Sequence, residues 1–96
     1  MEIPTSFHLM GHQWTVIHVP GMIRDPGDGD ECRGLCQFDQ LTIQINTAQP
    51  DSMVLHTFMH EVMHAVFWAL GRGEVSDESV VDSVGGALAQ VLASME

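Results

Sequence analysis

The sequence contains no lysine. Its only fixed positive charges are Arg24, Arg33 and Arg72, set against 13 Asp+Glu, for a formal net charge of −10. Such a surface repels phosphate, which argues against autonomous binding to nucleic acid and to anionic membranes. It favours solubility, and a basic partner or substrate. Long apolar runs are missing too. The best candidate for a bilayer-spanning segment is interrupted by His60, Glu61 and His64. Residues 1–7 carry neither a basic start nor a long apolar core, so no secretory signal is expected and the cytoplasm is the default location. Cysteine is scarce. Cys32 and Cys36 are expected to be reduced thiols there; half of a second metal site, completed by His8, His12 or His18, is the sharper alternative. Repeats and low-complexity segments are absent.

What is present fits one compact domain over residues 1–96. A chain this short has a thin stability margin, and an ion bound only by the folded state would widen it. Gln13 to Val19 alternates polar and apolar residues as a half-buried strand does, with further β-rich sequence before Gly11 and His12. Asp25 to Asp30 is turn chemistry, and Arg24 to Gly34 reads as a solvated loop. A calcium loop does not fit its side-chain order. Leu35–Phe38 and Leu41–Ile45 read as a hairpin joined near Asp39-Gln40, with Leu41, Ile43 and Ile45 on one face.

Helical periodicity then takes over. Leu55, Met59, Val62, Val66 and Leu70 recur at three- and four-residue steps, Phe58, Met63 and Phe67 are apolar too, so that more than one side is expected to be covered, and Gly71 and Gly73 give the stop signal. A second helix opens around Ser76–Ser79, with Ser76 or Asp77 as its cap, and carries Val80, Val81, Val84, Ala87, Leu88, Val91 and Leu92. Gly85-Gly86 costs helix propensity and suits a close approach of the first helix. Trp14, Trp68, Met53, Met59 and Met63 are expected in the core. The fold class implied is α+β: a small antiparallel or mixed sheet of three to four strands, then two helices.

The chemistry lies in His60-Glu61-Val62-Met63-His64, an H-E-x-x-H pattern inside the first helix. Residues four apart lie one turn apart on one face, so both imidazoles can reach a single ion. Neutral imidazole suits zinc. Glu61 follows the first histidine, beside the open coordination position, where a carboxylate can take a proton from water and deliver it to a leaving group. The five-residue pattern recurs by chance. Here it falls on a helix and breaks an apolar surface with three ionisable groups, which a purely structural helix avoids.

With Thr57, Phe58, Val62, Met63, Ala65 and Val66 around it, this segment resembles the zincin metallopeptidases. The likeness is specific over about Thr57 to Leu70 and extends more loosely to the hairpin and last helix. Within that superfamily the chain looks like small, often phage-borne proteins related to the ImmA/IrrE and SprT-like groups, which would place it in a bacterial host cell. It departs from the first in having Asp82-Ser83-Val84-Gly85-Gly86 instead of an acidic-alanine-asparagine stretch. It departs from the second in lacking a cysteine-rich ribbon and a basic surface, so DNA-linked proteolysis is not implied.

The resemblance implies a minimal gluzincin-type site: one Zn2+ held by His60, His64 and a downstream acidic residue, with Glu61 catalytic and a peptide or protein as substrate. Glu74, Asp77, Glu78 and Asp82 are the candidates for the third ligand. Glu78, in the first turn of the last helix at the edge of its apolar stripe, is preferred. Asp82, turned further from the stripe, is second. His56 lies two turns from His64, about 12 Å along the axis, too far to share an ion with it. A non-catalytic binding or regulatory module stabilised by zinc is the other function class; it would need a fourth ligand such as His56 or Cys36.

Overall fold

A computed structural model describes residues 2–72 and 77–95. The chain begins with β1 (Ser6–Leu9) and β2 (His12–Val19), an antiparallel pair closed by Met10 and Gly11. Both turn residues have positive φ, 51° and 83°, as a two-residue hairpin turn matching strand twist requires. After β3 (Ile23–Arg24), β4 (Glu31–Cys32), β5 (Gly34–Gln37) and a 3-10 turn (Phe38–Gln40) comes β6 (Thr42–Asn46). The main sheet has the order β1-β2-β6-β5. β6 runs parallel to β2, with Val16 opposite Ile43, and antiparallel to β5, with Cys36 opposite Ile43. β5 is therefore an edge strand.

The segment expected to be loop throughout, Arg24 to Gly34, carries a two-rung ladder: Ile23 pairs with Cys32 and Arg24 with Glu31. Its acidic residues serve the turn. Asp25 Oδ1 accepts from Gly27 N at 2.7 Å and Asp28 Oδ1 from Asp30 N at 2.8 Å. Alternation alone could not reveal strands two residues long.

α1 (Asp51–Ala69) lies on one face of the sheet, and α2 (Glu78–Ser94) packs on α1 while barely touching the strands. Pro50 starts α1, its carbonyl accepting from Met53 N and Val54 N. Gly71, at φ 69°, ends it: Gly71 N bonds Trp68 O and Arg72 N bonds Phe67 O. Asp77 caps α2, its Oδ1 accepting from Ser79 N at 2.9 Å; Ser76, the other expected cap, and Gly73 lie outside the described residues. No helix among the described residues is long and apolar enough to cross a membrane.

The core gathers Trp14 and Val16 of β2, Ile43 and Ile45 of β6, and Leu55, Phe58 and Ala65 of α1. The buried stripe of α1 thus runs Leu55–Phe58–Glu61–Ala65, one register away from the Leu55–Met59–Val62–Val66–Leu70 series, and it includes a carboxylate. Trp14 is 1% exposed, but Trp68 is 44% exposed, stacked on Phe38 at the rim, and Met53 is exposed as well; neither is core. α2 meets α1 through Val81, Gly85 and Ala89, whereas Val80, Val84, Leu88 and Val91 face outward.

Gly85 sets the separation of the helices. A Cβ there would lie 2.9 Å from His60 N and 3.0 Å from His60 Cα, both backbone atoms. Alanine in a helix interior normally stabilises over glycine by roughly 0.5–1 kcal/mol. At this position the forced separation reverses the sign, and Gly85→Ala is expected to cost about 1–3 kcal/mol, read by denaturant unfolding. A variant as stable as the parent would show that α2 does not press on His60.

Candidate metal centre

Three turns of α1 present His56, His60 and His64, and three turns of antiparallel α2 present Gly86, Asp82 and Glu78 opposite them. The match arises because both series step by four residues, one helical turn each. Glu78 bridges the two motif histidines: Oε2 lies 3.0 Å from His60 Nε2 and Oε1 2.9 Å from His64 Nε2. The imidazoles themselves sit edge to face with centroids 5.0 Å apart. One donor atom from each of His60, His64 and Glu78 falls within 4.8 Å of the others, and these three form the one such group among the described residues.

This donor set fits a small divalent cation. Donors at about 2.0–2.1 Å around one tetrahedral ion lie roughly 3.3 Å apart, within the 4.8 Å that bounds the three donor atoms here. Two imidazoles and a carboxylate suit zinc among the common metals. Burial lowers the pKa of His64, with His60 adding to the effect and Glu78 opposing it. A shift in this direction favours the neutral imidazole that a metal needs.

Glu61 stands beside this group. Its Oε2 is 4.0 Å from His60 Nε2, and the residue is 8% exposed. Gly34 of β5 makes the room: a Cβ there would lie 2.8 Å from Thr57 Cγ2 and 3.0 Å from Glu61 Oε2. Burial, and then the charge of Glu78, push the Glu61 carboxyl up to about 8. A cation among the three donors would act against both causes.

The other candidates fall elsewhere. Asp82 is not turned away from α1. Its Oδ1 lies 3.2 Å from His60 Nδ1 and 3.1 Å from His56 Nε2, on the side of the imidazole away from Glu78. The bond with His60, foremost, lowers its pKa. Asp77 caps α2, and Glu74 lies outside the described residues. Cys32 and Cys36 are half-buried free thiols, and burial pushes Cys36 up to about 12. His8, His12 and His18 are exposed on β1 and β2 and join neither cysteine in a ligand group among the described residues. Sequence reading missed Gly34 under Glu61, and did not pair Gly86 with His56. Gly85-Gly86 was visible as a signal for close approach; Gly34 had none.

A cleft of about 660 Å³ opens over the group, walled by β5 residues Gly34, Leu35 and Cys36 and by His56 and Thr57 of α1. The arrangement can therefore hold a cation, keep a carboxylate next to it, and admit an extended chain along a sheet edge.

The position of Glu61 has a measurable cost. In the metal-free protein its folded-state pKa is raised, so the folded form keeps a proton up to about pH 8 that the unfolded chain releases near 4.5. Stability from this group is present below pH 4.5 and is lost as pH rises towards 8. In excess chelator, the wild-type melting temperature should fall more between pH 5 and pH 8 than that of Glu61→Gln. Parallel profiles would contradict a buried, proton-holding Glu61.

No protein-family model, no curated protein and no solved structure matches the chain significantly, so the meaning of this site rests on its own geometry.

Proposed function

We propose that the chain is a zinc-dependent peptide-bond hydrolase, holding one zinc per chain through His60, His64 and Glu78. The observation that carries this reading is the convergence of two Nε2 atoms on one carboxylate, with a second carboxylate, Glu61, buried beside them at 4.0 Å and outside the donor group. A site serving stability alone has no use for that second carboxylate, and it closes with a fourth ligand. Among the described residues His56 is bonded to Asp82 instead, and Cys36 does not join the group.

When bound, the ion would supply Lewis acidity towards a carbonyl and towards water. The chain does the rest. Glu61 accepts a proton from the attacking water as its oxygen bonds to the peptide carbon. The same carboxyl then delivers a proton to the nitrogen as the C–N bond breaks. The β5 edge aligns an extended peptide by strand addition, with its backbone as the recognition element. Gly34, with no side chain, leaves the room that the Glu61 carboxyl and Thr57 occupy against β5. The acidic surface favours basic polypeptide substrates, and the cytoplasm, where Cys32 and Cys36 stay reduced, is the proposed setting. The likeness of residues 57–70 to zincin metallopeptidases supports the same reading.

Elemental analysis of reconstituted protein should find about one zinc per chain, lost in His60→Ala and in Glu78→Ala. Wild type that takes up no zinc would sink the proposal. Glu61→Gln should keep its zinc and lose about 10²–10⁴-fold in peptide hydrolysis, followed by mass spectrometry of a protein digest. Full activity in that variant would remove Glu61 from the chemistry. Zinc binding without any hydrolysis in wild type would leave the non-catalytic module instead.

A further inference from the structure

The face that α1 presents to α2 carries one histidine more than the site needs. His56 lies one turn before His60 and reaches the same carboxylate oxygen, Asp82 Oδ1, at 3.1 Å. Asp82 Oδ1 in turn lies 3.2 Å from His60 Nδ1. A single oxygen is thus shared by two imidazoles, one turn apart on the same helix.

Backbone design supports this contact. The His56 ring occupies the place of a missing side chain: a Cβ on Gly86 would lie 3.0 Å from His56 Cε1 and 3.1 Å from His56 Nε2. Glycine is costly in a helix interior, and the nearest neighbours of Gly86 on α1, unlike those of Gly85, are side-chain atoms. What it admits is the His56 ring.

The consequence concerns which carboxylate goes where. Glu78 and Asp82 are both exposed and one turn apart, so either could swing towards His60 Nε2. Asp82, 60% exposed on its side chain, would have only His60 to hold it without His56. With both imidazoles bound, it stays on the Nδ1 side. There it accepts the His60 Nδ1–H and so fixes the tautomer that leaves Nε2 free as a donor to a metal.

Resting on the metal reading above, we propose that His56 is a positioning residue of the metal centre. Seated by Gly86, it pins Asp82 to His60 Nδ1 and leaves Glu78 as the carboxylate at Nε2. It is not one of the three metal donors. Its effect passes entirely through Asp82.

The test uses the full chain and Zn2+ competed against a chromogenic chelator, with Co2+ absorption as a second readout. Outer partners of ligating histidines typically contribute 10–100-fold to affinity. Asp82→Ala should fall in that range, and His56→Ala should weaken zinc by about 3–10-fold, as a residue acting one step further out. His56→Gln, whose amide N–H can stand in for Nε2–H, should recover most of the loss. Gly86→Ala should reproduce the His56→Ala loss and shift the Co2+ spectrum in the same way. In an Asp82→Ala background, His56→Ala should do nothing further.

Wild-type affinity in His56→Ala, or an undiminished effect of that change in the Asp82→Ala background, would overturn the proposal while leaving the metal site intact. Zinc uptake that is insensitive to His60→Ala would instead remove the metal reading, and the role of His56 with it.

Discussion

Everything in the candidate site depends on how closely α2 can lie against the middle of α1. The spacing is fixed by backbone: Gly85 faces His60 N and Cα at distances that admit no side chain. At that separation a glutamate in the first turn of α2 spans both motif histidines, and an aspartate one turn later reaches the far side of the first. A wider gap would leave the same residues in sequence and break the group in space. The small residues Val81, Gly85 and Ala89 thus do for the site what large apolar residues do for the core under α1. Complementary shape, more than buried area, sets this interface.

A second constraint is the placement of Glu61 in the buried stripe of α1. An unpaired carboxylate in such a place is costly, and three features make it tolerable. Gly34 removes a side chain from the strand beneath it, His60 stands near its oxygen, and the cleft gives one flank access to water. The charge it carries when ionised meets no arginine at ion-pair distance among the described residues, although Arg33 lines the same cleft. It can be matched by a cation at the neighbouring donors, which ties the ionisation of Glu61 to occupancy of the site. Stability and chemistry pull against each other at this one residue, as functional sites commonly require.

Much of this was legible beforehand. The α+β order, the Leu35–Ile45 hairpin and the helix carrying the histidines all follow from periodicity, turn chemistry and motif spacing, and Glu78, the preferred acid, lies within reach of both histidines. The less legible parts have identifiable causes. The buried stripe of α1 lies one register from the Leu55–Leu70 series and takes in Phe58 and Glu61, because packing on the sheet, which periodicity does not encode, chooses among the apolar sides of the helix. Trp68 was assigned to the core on hydrophobicity, although a rim position against Phe38 satisfies an aromatic ring equally well. Asp82 stands further from the apolar stripe than Glu78 on a helical projection, which does not show what faces it. The partner helix brings two imidazoles to it. The short β3–β4 ladder and the parallel pairing of β2 with β6 depend on long-range contacts that local pattern does not encode.

The attachment of α2 carries one more consequence. This helix leans on α1 alone, with most of the sheet out of its reach and Val80, Val84, Leu88 and Val91 left in solvent. Its connection to α1 runs from Ala69 to Glu78, while its firmest polar anchors are the groups at Glu78 and Asp82. An ion held there would act as a crosslink between the two helices, added to the apolar contact and hydrogen bonds that already join them. Loading would then make the opening of α2 away from α1 rarer, and unloading would make it more frequent. Amide exchange along α2, compared with and without metal, is where that difference is written. The chemistry of the site and the integrity of the fold would answer to the same ligand concentration.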